Sequence, residues 1–407
     1  MSDFYQNGVI TTLHNISNRP LEDIEAELVQ FGTRRPMSLV LPSLYSELAG
    51  PALSNIVDHL CEVPYLTGIV IGLDRASEEE YRHALQFMSR LPQHHRVLWN
   101  DGPRMKRIHS LLRDEDLAPT EKGKGRNVWY SLGYVLAAGR CSAVGLHDCD
   151  ILTYDRNLLA RLMYPVANPN FSYQFCKGYY ARAAEGKLNG RVSRLLVTPL
   201  IRALKKMLGP VEYLEFMDSF RYPLSGEFSM RTDVIREMRI PSDWGLEIGV
   251  LSEMHRNYAT NHICQVDIAD TYDHKHQEVS LDDAKKGLSK MSMDICMAIF
   301  RKLATHGAVF SKGSFRTLKA TYYRIGLDFI ETYRNDALIN GLELDIHKEE
   351  QTVELFAKNI MKAGEKFLDK PMDIPFVPNW NRVNHAMPEI AAMLLEAVEL
   401  DNEEFSS

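Results

Sequence analysis

Short apolar runs that each stop at a polar or turn-forming residue, with helix-period segments between them, constrain this chain most. Met37 to Leu41 runs into Pro42, Gly68 to Leu73 into Asp74, and Cys141 to Leu146 into His147, with Arg96 to Trp99 as a further such run. Runs this short suit buried strands, and the segments between them, near Leu53 to Cys61, after Ser77 and from Asn127 to Ala138, suit helices. Ser77 before Glu78-Glu79-Glu80 reads as a helix cap. Strands alternating with helices predict a Rossmann-like, mostly parallel α/β sheet covered on both faces. Ligands of such sheets gather outside the carboxyl ends of the strands.

One strand end carries unusual chemistry. His147-Asp148-Cys149-Asp150 sets two carboxylates at i and i+2, placed to hold a hard divalent cation, Mg²⁺ or Mn²⁺. Such a cation can clamp the diphosphate of a nucleotide-sugar. Asp at a strand end also forms turns and caps helices, so the tetrapeptide alone decides nothing. Upstream, Gly123-Lys124-Gly125 opens a helix, where glycines and backbone N–H groups admit phosphate. The spacing is not that of a P-loop, and a flexible charged loop would look the same. Downstream, Lys177, Arg182, Lys187 and Arg191, with Gly190 and Ser193, suit a phosphorylated or carboxylated acceptor, although a solvated basic face is the commoner reading of such a run. Glu227 in Pro-Leu-Ser-Gly-Glu and Glu247 in Gly-Leu-Glu-Ile-Gly are acids among apolar neighbours, costly to bury unless paired or used. Tyr272-Asp273-His274-Lys275-His276 offers imidazoles that a metal site can recruit.

Composition removes several classes. A net charge of −7 without a basic tract argues against nucleic acid as the main partner. Six cysteines without CxxC spacing argue against a disulfide framework or a zinc site and for a reducing compartment. No signal-peptide pattern and no apolar run of about 18 residues are present, which predicts a cytoplasmic protein with no membrane span. Residues 1–35 read as a polar lead-in with one helix near Leu21 to Gln30, 36–280 as the catalytic domain, and 281–407 as a C-terminal helical region. The helical region would pack on the catalytic domain or form a homodimer surface, and Asp401-Asn402-Glu403-Glu404 reads as a frayed, solvated tail.

Taken in order, Pro42, Gly-Lys-Gly, Asp-x-Asp, Gly-Arg-Val-Ser at Gly190 to Ser193, Pro-Leu-Ser-Gly-Glu, Gly-Leu-Glu-Ile-Gly and a late histidine resemble the glucosyl-3-phosphoglycerate synthases over about residues 36–280. These are retaining glycosyltransferases with the A-type nucleotide-sugar fold. The resemblance implies transfer of glucose from UDP-glucose to 3-phosphoglycerate, dependent on a divalent cation, by front-face attack. It implies that Pro42, Leu44, Glu47 and Asp74 line the nucleoside pocket, and that Gly123 and Lys124 lie beside the diphosphate. Asp148 would face the ribose or donor sugar, with Asp150 and His274 as metal ligands. Gly190, Arg191 and Ser193 would hold the acceptor, with Lys177 nearby, while Glu227 and Glu247 face the donor sugar. Departures from the family pattern are Cys149, Asn189, Ser193, Trp244 and the Leu44-Tyr45-Ser46-Glu47 loop. They bear on the acceptor more than on the donor. Three competing readings are another donor or acceptor (GDP-mannose, glycerate, a glycoside), a silent nucleotide-sugar-binding scaffold, and a metal-dependent phosphohydrolase. The third needs more clustered ligands than the chain offers near the motif.

Overall fold

Eight strands form one sheet in the computed structural model, which describes Gln6 and residues 8–242, 245–274, 287–371 and 377–406. In chain order they are β1 (Thr11–Leu13), β2 (Met37–Leu44), β3 (Leu66–Asp74), β4 (His95–Trp99), β5 (Ala143–Leu146), β6 (Phe175–Tyr180), β7 (Phe228–Arg231) and β8 (Ile263–Ala269). Their spatial order is β1-β8-β6-β7-β5-β2-β3-β4. All neighbours are parallel except β7, which runs antiparallel between β5 and β6. The alternating helices include α1 (Leu21–Gly32), α2 (Pro51–Cys61), α3 (Glu78–Met88), α4 (Pro103–Asp114), α5 (Lys124–Ala138) and α6 (Arg156–Ala167). Ser77 caps α3 in a reciprocal box with Glu80.

Side-chain alternation divides the core into two layers. Val40, Val70, Leu98 and Val144 pack with Val128 and Trp129 of α5, whereas Leu39, Leu41, Ile69 and Ile71 pack with Leu53 and Ile56 of α2 and Leu158 and Leu159 of α6. The C-terminal helices Gly287–Thr305, Lys312–Ile339, Ile346–Asp369, Trp380–Ala386 and Ile390–Phe405 extend the first layer. Trp380 stacks on Trp129 at 4.3 Å between centroids and donates its ring N–H to the Trp129 carbonyl. No helix among the described residues is long and apolar enough to cross a membrane.

The structure departs from three expectations. The strand expected to stop at Pro42 continues to Leu44. Pairing of β2 with β5 ends at Val40, so Pro42 faces no partner on that side and its missing N–H breaks no ladder. The lead-in is more than a helix, because Thr11–Leu13 pairs with β8 and closes one sheet edge; three residues are too few to show a period. The terminal acidic segment is not frayed. Asn402 accepts from the Val97 N–H and donates to the Val97 carbonyl, both at 2.9 Å, capping edge strand β4. Asp401 pairs with Arg104 at 2.5 Å, and Phe405 packs edge-on against Tyr81 and Trp99. A charge-rich tail reads as solvated until its cationic and ladder partners, about 300 residues away, are known. Trp244, Lys275, His276 and the expected boundary at 280 lie outside the described residues.

Candidate active site

The antiparallel strand builds the site. Because β7 runs against β5, its first residue Phe228 lies opposite Leu146, the last residue of β5. Ser225-Gly226-Glu227, just ahead of Phe228, is thereby brought beside His147 to Asp150. The approach is close enough to require glycine: a Cβ on Gly226 would stand 2.5 Å from Asp148 Oδ2. Strand β6 reaches the same edge, where the Gly178 N–H donates to the Glu227 carbonyl at 2.8 Å. Beyond β8 the chain returns to make a bridge between His274 and Ile151.

Lys124, the first residue of α5, forms ion pairs with Asp148 at 2.6 Å and Glu247 at 3.2 Å. Burial opposes the charge on Lys124, but the facing carboxylates outweigh it and raise its pKa. Burial likewise disfavours the Asp148 carboxylate, yet Lys124 holds its pKa below the usual range. Among the described residues Asp150 has no lysine or arginine in contact. Burial, and then the charge of Asp148, raise its pKa to about 7. Its Oδ1 is buried without a hydrogen-bond partner, and its Oδ2 lies 3.9 Å from His274 Nδ1. Two ligands of one hard cation, each about 2.1 Å from it, can span that gap. A carboxylate with an unused buried oxygen beside an imidazole therefore fits Mg²⁺ or Mn²⁺. Among the described residues no group of three or more His, Cys, Asp or Glu that could hold a metal ion is present.

Glu227 forms the floor and has no exposed surface. Tyr272 donates to its Oε1 at 2.7 Å, and Tyr180 and Ser225 donate to its Oε2 at 2.7 and 2.9 Å. Tyr180 and Tyr272 stack at 3.7 Å. Lys177, 1% exposed, donates to the Ser225 carbonyl at 2.6 Å, and burial lowers its pKa to about 8. Both residues, which the sequence reading set against the sugar and the acceptor respectively, are thus buried and hydrogen-bonded at this edge.

Of the residues expected to line the nucleoside pocket, Pro42 and Leu44 lie at the end of β2, Glu47 in the following turn Tyr45–Ala49, and Asp74 at the end of β3. Asp74 is buried and paired with Arg126 at 3.0 Å. Gly123 caps α5 from open space, since a Cβ there would meet nothing within 4 Å. In the loop expected to hold the acceptor, Gly190 takes φ +76°, a left-handed conformation that suits glycine. The chain then enters a π-helical turn, Val192–Val197, a distortion often found at functional sites. Arg182 Nε, Arg191 Nη1 and Ser193 Oγ are buried there without hydrogen-bond partners, as groups awaiting an anion would be. Sequence reasoning gave no role to Arg126, Tyr180 or Tyr272. Arg126 follows Gly123-Lys124-Gly125 in the first turn of α5, but nothing local marks the two tyrosines, which meet only through strand pairing.

Relatives agree along the whole chain. The glucosyl-3-phosphoglycerate synthase of Persephonella marina is 48% identical over 402 residues, covering 99% of this chain and 99% of that protein. The chain belongs to the glucosyl-3-phosphoglycerate synthase family. The synthase of Methanococcoides burtonii is 38% identical over 408 residues, again covering 99% of each. No protein-family model matches the sequence. Among solved structures, the glucosyl-3-phosphoglycerate synthase of Mycobacterium tuberculosis in complex with Mn²⁺, UDP-glucose and phosphoglyceric acid aligns with a TM-score of 0.52 at 21% identity, covering 72% of this chain and 88% of that one. The mannosyl-3-phosphoglycerate synthase of Rubrobacter xylanophilus aligns at 0.54 and 20% identity, covering 74% and 83%. These structures share the A-type glycosyltransferase fold with this chain. Family membership agrees with the resemblance carried by the motifs, and the full-length agreement takes in the C-terminal helices, beyond the residues that suggested it.

Proposed function

We propose that this chain transfers glucose from UDP-glucose to 3-phosphoglycerate with retention of configuration, using Mg²⁺ or Mn²⁺. The observation that carries this reading is full-length similarity, at 48% and 38% identity, to two glucosyl-3-phosphoglycerate synthases. Asp150 and His274 would hold the cation, which when bound neutralises charge developing on the leaving diphosphate. Lys124 adds a positive charge at the same edge, released from Asp148 as the diphosphate enters. Arg191, Arg182 and Ser193 would take the acceptor's phosphate and carboxylate.

The bond from the anomeric carbon to the diphosphate oxygen breaks as a bond to the acceptor hydroxyl forms. The proton of that hydroxyl passes to the departing oxygen, so no protein base is required. The condition of Glu227 supports this route: a buried carboxylate already accepting three hydroxyl hydrogen bonds is a poor nucleophile, and acts by holding the floor beneath Asp148. Glu247, paired with Lys124, would position that lysine and the sugar hydroxyls. UDP release from UDP-glucose tests the proposal. It should require both 3-phosphoglycerate and a divalent cation and stop in EDTA. Release without an acceptor, or a covalent glucosyl adduct on Glu227 or Glu247, would refute it.

A further inference from the structure

A cavity of about 460 Å³ lies between α4, the end of β4 and the start of α5, outside the residues assigned to donor and acceptor. None of Pro42, Leu44, Glu47, Lys124, Asp148, Asp150 or Arg191 lines it. Its walls carry Lys106, His109, Arg113, Lys122 and Arg126. The two acids at its rim already have positive partners: Asp101 accepts from the Arg75 N–H at 2.6 Å and lies 3.9 Å from Arg126, and Glu121 lies 3.5 Å from Lys290. The interior is left electropositive. His109 reports this, since burial and then Arg126, Arg113 and Lys122 hold it toward its neutral form, with its Nδ1 2.9 Å from the Tyr130 hydroxyl.

Two buried side chains in the wall also carry polar atoms without hydrogen-bond partners. Asn100, 6% exposed, has neither its Oδ1 nor its Nδ2 in a hydrogen bond, and Arg126, 7% exposed, leaves its Nε unpaired. Buried polar groups of this kind are nearly always satisfied, and two of these atoms, Asn100 Nδ2 and Arg126 Nε, are donors on residues that line the cavity. The volume far exceeds that of a bare phosphate and lies in the range of small-molecule sites.

We propose that this cavity binds a phosphate-bearing anion, at a site separate from those of the donor and the acceptor. Asn100 and Arg126 supply donors at its base, and Lys106, Arg113 and Lys122 supply charge at its mouth. Arg126 is also the partner of Asp74, and Lys122 precedes the Gly123-Lys124 pair. An anion held here therefore touches both elements that shape the donor side.

Calorimetric titration of inorganic phosphate into the full-length Arg191→Ala protein tests the proposal, because that background weakens the acceptor loop as a rival anion site. One phosphate should bind. Affinity should fall at least tenfold when Lys106→Gln and Arg113→Gln are added; both residues are exposed on α4, and Lys106→Glu alone serves as a second probe. Saturating UDP with Mg²⁺ should leave phosphate bound. Glucose 6-phosphate in the same titration separates the sources: at least tenfold tighter binding assigns the cavity to a phosphomonoester, and equal affinity assigns it to free phosphate. Absence of binding in the Arg191→Ala background would overturn the proposal. So would unchanged affinity in both charge variants, or displacement by UDP, which would make the cavity part of the donor site.

Discussion

Gly226→Ala isolates the geometry of the Asp148 carboxylate from the stability of the fold. The added Cβ would stand 2.5 Å from Asp148 Oδ2 and 2.9 Å from its Cγ, where ordinary contact begins near 3.4 Å. The carboxylate must therefore withdraw by about 0.9 Å, and it is pinned from the other side by Lys124 at 2.6 Å. A displacement of about 1 Å in a positioned catalytic group costs on the order of 10²-fold in rate. Stability should hardly change. Gly226 does not occupy the left-handed region, so alanine gains back about 0.4–1 kcal/mol through the unfolded chain, which offsets strain in the half-buried Lys124–Asp148 pair. The expected result is a kcat/KM about 10²-fold lower in a coupled UDP-release assay, with a denaturation midpoint near that of the parent. Activity within about threefold of the parent would refute the argument, because it would mean that Asp148 is free to move without consequence. A fall in midpoint as large as the fall in activity would also refute it.

Three further outcomes follow from the same structure. Asp150→Ala should abolish turnover and the response to added Mn²⁺, and full metal-stimulated activity in that variant would remove Asp150 from the metal site. Arg191→Ala should raise the KM for 3-phosphoglycerate tenfold or more, the cost of losing a charge-assisted hydrogen bond of about 1.5–3 kcal/mol, with the KM for UDP-glucose little changed; an unaltered acceptor KM would refute its assignment. Asn402→Leu leaves the Val97 N–H at the edge of β4 without its partner, the carbonyl keeping the Tyr81 hydroxyl at 3.1 Å, and should lower the free energy of unfolding in urea by about 1–2 kcal/mol while sparing kcat. No loss of stability would mean that water replaces the cap.

How much of this was readable in advance depended on the range over which each signal acts. Helix and strand periods are local, so β3, β4, α2, α3 and α5 were legible from their own residues, with ends shifted by a few positions. Three-residue β1 carried no period, and Asn402 gave no sign of its partner, because pairing with Val97 is a contact between distant segments. In the site, the acids, Lys124 and the Gly190 to Ser193 loop stood out because charge and glycine in apolar surroundings have few structural uses. Their separate duties did not stand out. That Glu227 lies sealed under two stacked tyrosines, while Asp150 keeps one oxygen unpaired and turns the other toward His274, comes from one antiparallel strand inserted between parallel neighbours.

The amino-acid sequence by itself determined the alternation that makes the sheet, the placement of a carboxylate pair at a strand end, and the ordered motifs that mark the family. Those follow from side-chain period and backbone chemistry within a few residues. Tertiary structure alone decided which carboxylate is paired and which is left available, why Gly226 tolerates no side chain, and how the acidic C-terminal helix seals the sheet edge. Each of these depends on what stands across a gap of a few ångströms from residues tens to hundreds of positions away.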